Sequence, residues 1–220
     1  MFTLKSDIEW LMKFYDCASA PSPRRVRMFI AEKKIDIPVV EVDLGNREQD
    51  SPAFVALNPH RTVPVLELDD GTVLHSTHGI CHYLEAIHPE PALMGRDAIE
   101  RGQIADLDWR IEQDGLQAVG ESFRNRSKGF KNHAVTGPHQ HAQIPELVDR
   151  GRARSEHFMD WLNSCLDGRE FVAGDNFTVA DITAFITIEF AKWIKLEPLA
   201  EYQNLHRWHQ SVLERDSAKC

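Results

Sequence analysis

The stretch MKFYDCASAPSPRRVRMFIAEKKIDIPVVEVDL, residues 12–44, decides the fold of the first half of the chain. Aromatic and β-branched residues in MKFYD (12–16) and PVVEVDL (38–44) are typical of β-strands, and PRRVRMFIAEKK (23–34) between them is predicted to be a helix. A strand, a helix and a second strand in this order make a βαβ unit. The chain therefore contains a small α/β layer from residue 12 onward.

A β-hairpin is predicted after this unit. Gly71 of the Asp70–Gly71 pair accepts the positive φ that a tight hairpin turn needs, and strand-like segments flank the pair. The resulting order of elements is that of a small α/β layer with a mixed four-stranded sheet, which resembles the thioredoxin-like fold. The predicted elements are a weak helix at 51–57, strands at 63–68 and 72–75, and a helix at 77–87.

The second half of the chain keeps a helical period. HPEPALMG (88–95), which has two prolines and a glycine, separates it from the first half. Helices are expected at 101–126, about 143–167, 178–194 and 204–214. We predict an α/β plus all-α protein with an N-terminal extension at 1–11, a thioredoxin-like domain at 12–90, a linker at 91–100 and an all-helical domain at 101–220.

Composition narrows the classes of partner and compartment. The chain has 25 Lys and Arg against 34 Asp and Glu, and its formal charge of −9 opposes binding to nucleic-acid phosphates. No stretch approaches the roughly 20 apolar residues that cross a bilayer, and the N-terminus lacks the features of a secretory signal. The four cysteines follow neither a disulfide nor a zinc spacing. We expect a cytoplasmic protein with reduced thiols, no membrane segment and no nucleic-acid partner.

Ser22 is the first candidate site residue. Ser22 and Pro23 suit the N-cap and the first position of a helix, so a helix start alone is sufficient to explain them. The same geometry presents unpaired N–H groups and the positive end of the helix dipole, to which Arg24 and Arg25 add charge. A thiolate is one of the anions that such a terminus stabilises.

Two further segments are predicted at the same end of the sheet. A cis Val63–Pro64 bond before the third strand would turn the Val63 N–H and C=O outward, where an extended peptide can pair with them. Ser76 suits the N-cap of the helix at 77–87, a position that also binds carboxylates. Ser22, Val63 and Ser76 together offer donors for a thiolate, a peptide backbone and a carboxylate.

At this point the chain resembles a cytosolic glutathione S-transferase of the bacterial type, similar to the nu and theta classes. The resemblance covers residues 12–215 and implies a thioredoxin-like domain that binds glutathione, a helical domain that binds a hydrophobic electrophile, and a homodimer used in detoxification. It implies glutathione as co-substrate and no metal. It rests on APSPRRVRMFIAEK (20–33), NPHRTVPVLELDDGTVLHSTHGICHYLE (58–85), the proline-rich linker and FVAGDNFTVADIT (171–183).

The resemblance also assigns roles to individual residues. It makes Pro64 the cis-proline of the family, and Val63 the residue that pairs with the cysteinyl backbone of glutathione. It implies that Ser76 holds the γ-glutamyl carboxylate, and Arg61 stands where the glycyl carboxylate is bound. We expect Ser22, with its amide and the helix dipole, to stabilise the thiol.

Two positions depart from the family's pattern. His75 stands where family members use Glu or Gln to accept from the ligand's ammonium group. A neutral imidazole accepts through one nitrogen but a protonated one repels an ammonium, so glutathione affinity is expected to fall toward acid pH. Ala20 stands where many members carry the Ser or Cys that contacts the thiol. Cys17 and Tyr15 are interpreted as structural residues.

The helical domain contributes weaker signals. Four residues of its first long helix are expected to face the electrophile, although a stripe at helical spacing is also typical of packing. They are Trp109, Arg110, Gln113 and Phe123. Thr178 and Asp181 have the form of a capping box that begins a buried helix. His133, His139 and His141 lack a Cys or acid at ligand spacing, so no metal site is expected there.

The leading interpretation is an enzyme that activates the glutathione thiol near Ser22 for attack on an electrophilic small molecule. One alternative is a glutathione-dependent peroxidase or disulfide reductase, in which Ser22 has the same role. The other is a non-catalytic glutathione S-transferase-like binding module, which Ala20 and His75 favour, because a fold alone does not fix a function.

Overall fold

The computed structural model describes residues 12–220, and the predicted extension at 1–11 lies outside the described residues. Four strands form one mixed sheet in the order β2-β1-β3-β4. β1 is parallel to β2, while β3 is antiparallel to both β1 and β4. The strands are β1 (Lys13–Asp16), β2 (Val39–Glu41), β3 (Val65–Glu67) and β4 (Val73–Leu74). The predicted thioredoxin-like arrangement is therefore confirmed.

Three helices accompany the sheet: α1 (Pro21–Lys33), α2 (Pro52–Leu57) and α3 (Thr77–Ile87). Serine side chains cap two of them, because a hydroxyl can accept from a free N–H of the first turn. Ser51 accepts from Phe54 N–H at 3.2 Å, and Ser76 accepts from Gly79 N–H at 3.0 Å. The prediction of Ser76 as an N-cap is confirmed.

The prediction that Ser22 is the N-cap of α1 is wrong. The N-cap is Ala20, which makes no side-chain cap, Pro21 is the first helical residue and Ser22 is the second. The sequence offers an X–Pro start at Ala20–Pro21 as well as at Ser22–Pro23. Both prolines are tolerated in the first turn, since the N–H groups that they lack would have no partner inside the helix.

The second half of the described chain is helical. α4 (Ala98–Arg110), a π-helical segment (Ile111–Leu116) and α5 (Gln117–Arg126) follow one another without a break. α6 (Glu146–Cys165), α7 (Val179–Ala191) and α8 (Gln203–Leu213) complete the domain. Every residue of α7 except Glu189 is buried, so this helix is the centre of the domain. No helix in residues 12–220 is long and apolar enough to cross a membrane.

The predicted capping box at the start of α7 is present. Asp181 accepts from the backbone N–H of Thr178 and of Val172, both at 2.9 Å. It also accepts from the indole Nε1 of Trp208 at 2.9 Å. Burial raises the pKa of Asp181 to about 6, although these donors oppose the shift. Asp181 therefore joins α7, α8 and the preceding loop.

The two halves share one continuous hydrophobic core. It runs from Phe14 and Phe29 beside the sheet to Phe185 and Trp208 in the helical half. Polar contacts cross the same boundary. Arg25 Nη2 lies 2.8 Å from Glu112 Oε2, and Glu32 accepts from Arg215 Nε at 2.8 Å and from Arg215 Nη2 at 2.7 Å. Helix α1 is thus fixed against the helical domain along its length. All four cysteines are free thiols.

Candidate functional site

Strand register brings the three segments that contain Ser22, Val63 and Ser76 to the same end of the sheet. Tyr15 pairs with Val65, and Leu66 pairs with Leu74, both in antiparallel registers. The chain that leaves β1, the chain that enters β3 and the chain that leaves β4 therefore lie side by side. Thr77 Oγ1 donates to Ser22 C=O at 3.3 Å, which joins the start of α3 to the start of α1.

The first turn of α1 presents one free backbone donor. Ala20 N–H donates to Cys17 C=O at 2.9 Å, and Arg24 N–H donates to Ala20 C=O at 3.2 Å. Pro21 and Pro23 have no N–H. In the described chain the Ser22 N–H has no hydrogen-bond partner. The positive end of the helix dipole is therefore combined with an amide that is free to bind an anion.

A cleft opens between the N-terminus of α1 and the C-terminal end of α7. Ala20 and Pro21 line one side, and Phe190 and Trp193 line the other. The remaining lining residues are Ser19, Arg24, Ile186, Glu189 and Lys192. Ser22 is not among the lining residues, although it directly follows Pro21 in the chain, and its backbone C=O accepts from Thr77 Oγ1 of α3. Ser19, a hydroxyl residue directly before the N-cap, lines the cleft and was not predicted from the sequence.

Glu189 places a negative charge in this cleft. Its Oε1 accepts from His209 Nε2 at 2.8 Å and from Lys192 Nζ at 2.6 Å. These hydrogen bonds, with that of His209 the strongest influence, lower the pKa of Glu189 to about 2. The carboxylate is therefore ionised at neutral pH. Its role in the cleft depends on the packing of α7, and no sequence motif marks it.

The Val63–Pro64 peptide bond is cis, as predicted. Within residues 12–220 neither the N–H nor the C=O of Val63 makes a backbone hydrogen bond, so both are available to an extended ligand. Asn58, which is fully buried, shapes the preceding turn. Its Nδ2 donates to Thr62 C=O at 2.8 Å and its Oδ1 accepts from His60 N–H at 3.0 Å. The Asn–Pro pair is the sequence signal for this turn.

Arg61 and His75 flank the cis bond. Arg61 has a φ of 55° and its Nη1 lies 3.4 Å from Asp50 Oδ1. Its Nε is buried and has no partner in the described structure, whereas the side chain as a whole is 36% exposed. His75 Nε2 lies 3.3 Å from Leu57 C=O. Because a carbonyl only accepts, Nε2 carries the proton and Nδ1 of the neutral ring remains an acceptor.

Tyr15 and Cys17 fit the structural interpretation. The Tyr15 hydroxyl donates to Glu67 Oε2 at 2.8 Å, and burial, followed by Glu67, raises its pKa. This phenol is therefore engaged on the sheet. Cys17 is 5% exposed and its Sγ lies 3.5 Å from Ser19 Oγ. No group of three or more metal-ligating side chains occurs in the part of the chain that the structure describes.

The four residues predicted to face the electrophile from the first helix of the helical domain do not share one pocket in the structure. Phe123 contacts Phe190 and Trp193, with ring centroids 5.4 Å and 5.2 Å apart, so it supports the aromatic wall of the cleft. Arg110 instead lines a different hollow, where its guanidinium lies over Trp161. Trp109 is 63% exposed, and the Gln113 C=O accepts from Arg154.

The expected alignment of these residues assumed a straight α-helix. The π-helical segment Ile111–Leu116 adds residues per turn and rotates Phe123 relative to Arg110. Arg110, like Trp109 and Gln113, therefore lies outside the lining of the cleft at Ala20.

Comparison with known proteins identifies the family. Residues 20–87 match the glutathione S-transferase N-terminal domain, and residues 130–216 match the C-terminal domain. Glutathione S-transferase 2 of Saccharomyces cerevisiae is 35% identical over 94% of this chain and 88% of its own length. The crystal structure of Gtt2 from Saccharomyces cerevisiae has a TM-score of 0.86 at 33% identity, covering 94% of this chain and 98% of that chain.

A second solved structure gives the same result. A glutathione S-transferase domain-containing protein from Marinobacter aquaeolei has a TM-score of 0.86 at 36% identity and covers 93% of this chain and 98% of that chain. The chain belongs to the glutathione S-transferase family, which is a family of transferases.

Proposed function

We propose that the protein binds glutathione at the end of the sheet where Ser22, Val63 and Ser76 lie. It then adds the glutathione thiolate to a small electrophile held in the cleft between α1 and α7. The observation that carries this proposal is the α1 N-terminus, where the free Ser22 amide and the helix dipole lie beside the cleft lined by Ala20 and Pro21. Family membership supports glutathione as the co-substrate.

Thiol activation is the chemical step that this terminus supports. A free cysteine thiol has a pKa of about 8.5, and each unit by which it falls requires about 1.4 kcal/mol of preference for the thiolate. We assign this stabilisation to Ser22 together with the α1 dipole, with Ser19 as the nearest alternative hydroxyl. The thiol proton passes to solvent, and the sulfur electron pair forms the C–S bond while the leaving group departs with the bonding pair.

The remaining glutathione contacts follow from the exposed donors and acceptors. Val63 pairs with the cysteinyl backbone beside Pro64, and Ser76 with the first turn of α3 holds the γ-glutamyl carboxylate. Arg61 donates to the glycyl carboxylate. His75 accepts from the ammonium group through Nδ1. The free backbone groups of Val63 and the partly exposed Arg61 side chain support these roles.

The cleft sets limits on the electrophile. Its volume of about 180 Å³ is below the roughly 300–1,000 Å³ of pockets for drug-sized ligands, so a small molecule fits best. The ring centroids of Phe190 and Trp193 are 5.1 Å apart, and the Phe123 ring contacts both rings. The three rings form an aromatic wall against which a flat apolar group can pack. We therefore propose a small hydrophobic electrophile.

We also propose that the protein is a cytoplasmic homodimer. Two large apolar side chains on α4, Ile99 and Trp109, are 73% and 63% exposed. Aromatic residues are enriched at interfaces, and association would cover this surface. The four free thiols fit a reducing compartment. Light scattering is expected to give twice the chain mass, and a Trp109→Glu variant is expected to dissociate.

The activity is tested with two reactions and a binding measurement. Calorimetry with reduced glutathione is expected to show binding well below about 10 mM, a concentration at which binding is worth under about 3 kcal/mol. Turnover with an aryl halide is expected to exceed turnover with a hydroperoxide. Binding without either turnover would identify a binding module, faster hydroperoxide turnover would identify a peroxidase, and no binding would overturn the proposal.

A further inference from the structure

Two histidine side chains meet on the exposed surface of α3. His78 and His82 are one helical turn apart, and their Nε2 atoms are 3.1 Å apart with ring centroids at 4.5 Å. The His78 side chain is 54% exposed. Residues at i and i+4 share one face of a helix, which explains why these rings meet. His78 and His82 have no role in the proposed glutathione chemistry.

We propose that His78 and His82 together bind a first-row divalent cation such as Ni²⁺, Cu²⁺ or Zn²⁺. Two nitrogens about 2.05 Å from a metal are about 2.9 Å apart at a right angle and about 3.3 Å apart at a tetrahedral angle. The observed 3.1 Å lies between these values, so both nitrogens reach one cation with small side-chain shifts. Imidazole is a preferred ligand of these three ions.

A buried carboxylate supports the pair from α4. Asp108 Oδ2 lies 3.9 Å from His78 Nδ1, and Asp108 itself is 2% exposed. This distance is longer than a hydrogen bond, but a carboxylate charge on that side of the ring favours the tautomer with the proton on Nδ1, which leaves Nε2 free to bind a metal. In the metal-free pair His82 then donates its Nε2 proton to His78. Binding requires that this proton moves to Nδ1 of His82 or to solvent.

With only two protein ligands, the proposed site is of the exchangeable kind. The other coordination positions belong to water, so the bound cation exchanges readily and differs from a structural zinc held by four side chains.

The experiment is a calorimetric titration of the reduced protein with Ni²⁺ in the absence of glutathione. Each of the variants His78→Gln and His82→Gln is expected to weaken Ni²⁺ binding by about tenfold or more, because the second ligand of a chelate acts at high effective concentration. His206→Gln is the matched control, since it removes an exposed helical histidine from α8 and leaves the pair intact.

Three results would overturn the proposal. One is a wild-type protein that does not saturate with Ni²⁺ below about 1 mM. Another is an equal loss in the His206→Gln control, and the third is full affinity in either pair variant, which would mean that one histidine binds alone or that the metal lies elsewhere. Circular dichroism confirms that each variant is folded, and retention on immobilised Ni²⁺ gives an independent ranking.

Discussion

At the scale of single residues, Ser22 occupies a different helix position from the predicted one. Ser22 is the second residue of α1, so its hydroxyl does not cap the helix. Its backbone N–H is nevertheless the free donor of the first turn, because prolines precede and follow it. We therefore assign the proposed anion binding to the amide and the helix dipole, with the hydroxyl as an addition.

Arg61→Ala is expected to raise the KM for glutathione by about tenfold or more, because a charge-assisted hydrogen bond is worth about 1.5–3 kcal/mol. The turnover number is expected to change little, since Arg61 is assigned to the glycyl end and not to the thiol. Steady-state kinetics with glutathione varied measures both. Arg47→Ala is the control, because Arg47 also pairs with Asp50 and is more exposed. Equal effects of the two variants would refute the contact.

Glu189→Gln is expected to reduce the free energy of unfolding by about 1–2 kcal/mol at pH 7, a value discounted for partial exposure. The pKa of Glu189 is lowered from 4.5 to about 2, so its contribution is full above pH 4.5 and is lost as the pH falls through about 2. Urea unfolding at several pH values is therefore expected to show a difference between wild type and variant that shrinks toward acid. A constant difference would contradict this assignment.

At the scale of elements, α7 depends on the carboxylate at its start. Asp181→Ala is expected to cost about 3–5 kcal/mol, because it leaves the Val172 and Thr178 N–H groups and the Trp208 indole N–H buried without an acceptor. Equilibrium urea unfolding measures the loss. Thr178→Ala, which removes a smaller part of the capping box, is expected to cost about 1 kcal/mol. Equal stability of Asp181→Ala and wild type would contradict this role.

The elements also show what the sequence could predict. The βαβ unit, the hairpin at Gly71 and the capped start of α3 are specified by local patterns, and all were predicted from them. The start of α1 was ambiguous, because two X–Pro pairs fit a first turn. The π-helical segment has no sequence pattern, so the direction of Arg110 could not be derived from helical spacing.

At the scale of the whole molecule, the cleft depends on contacts between the two halves. Glu189 and Trp193 lie more than 165 positions from Ala20 in the sequence and meet it only because α7 packs against α1. The segments proposed to bind glutathione could therefore be placed from motifs, since they follow strand ends and helix starts. The electrophile side could not, because it depends on how the helical domain packs.

The pKa of the glutathione thiol in the complex tests the proposed activation most directly. Ultraviolet absorbance of the thiolate during a pH titration measures it, with free glutathione as the reference. We expect the bound thiol to ionise about one unit or more below the free thiol. Ser22→Ala is expected to raise the pKa of the bound thiol part of the way back to that of free glutathione. Ser19→Ala is expected to leave the pKa of the bound thiol unchanged. A bound thiol that ionises at the pKa of free glutathione would contradict activation by the N-terminus of α1.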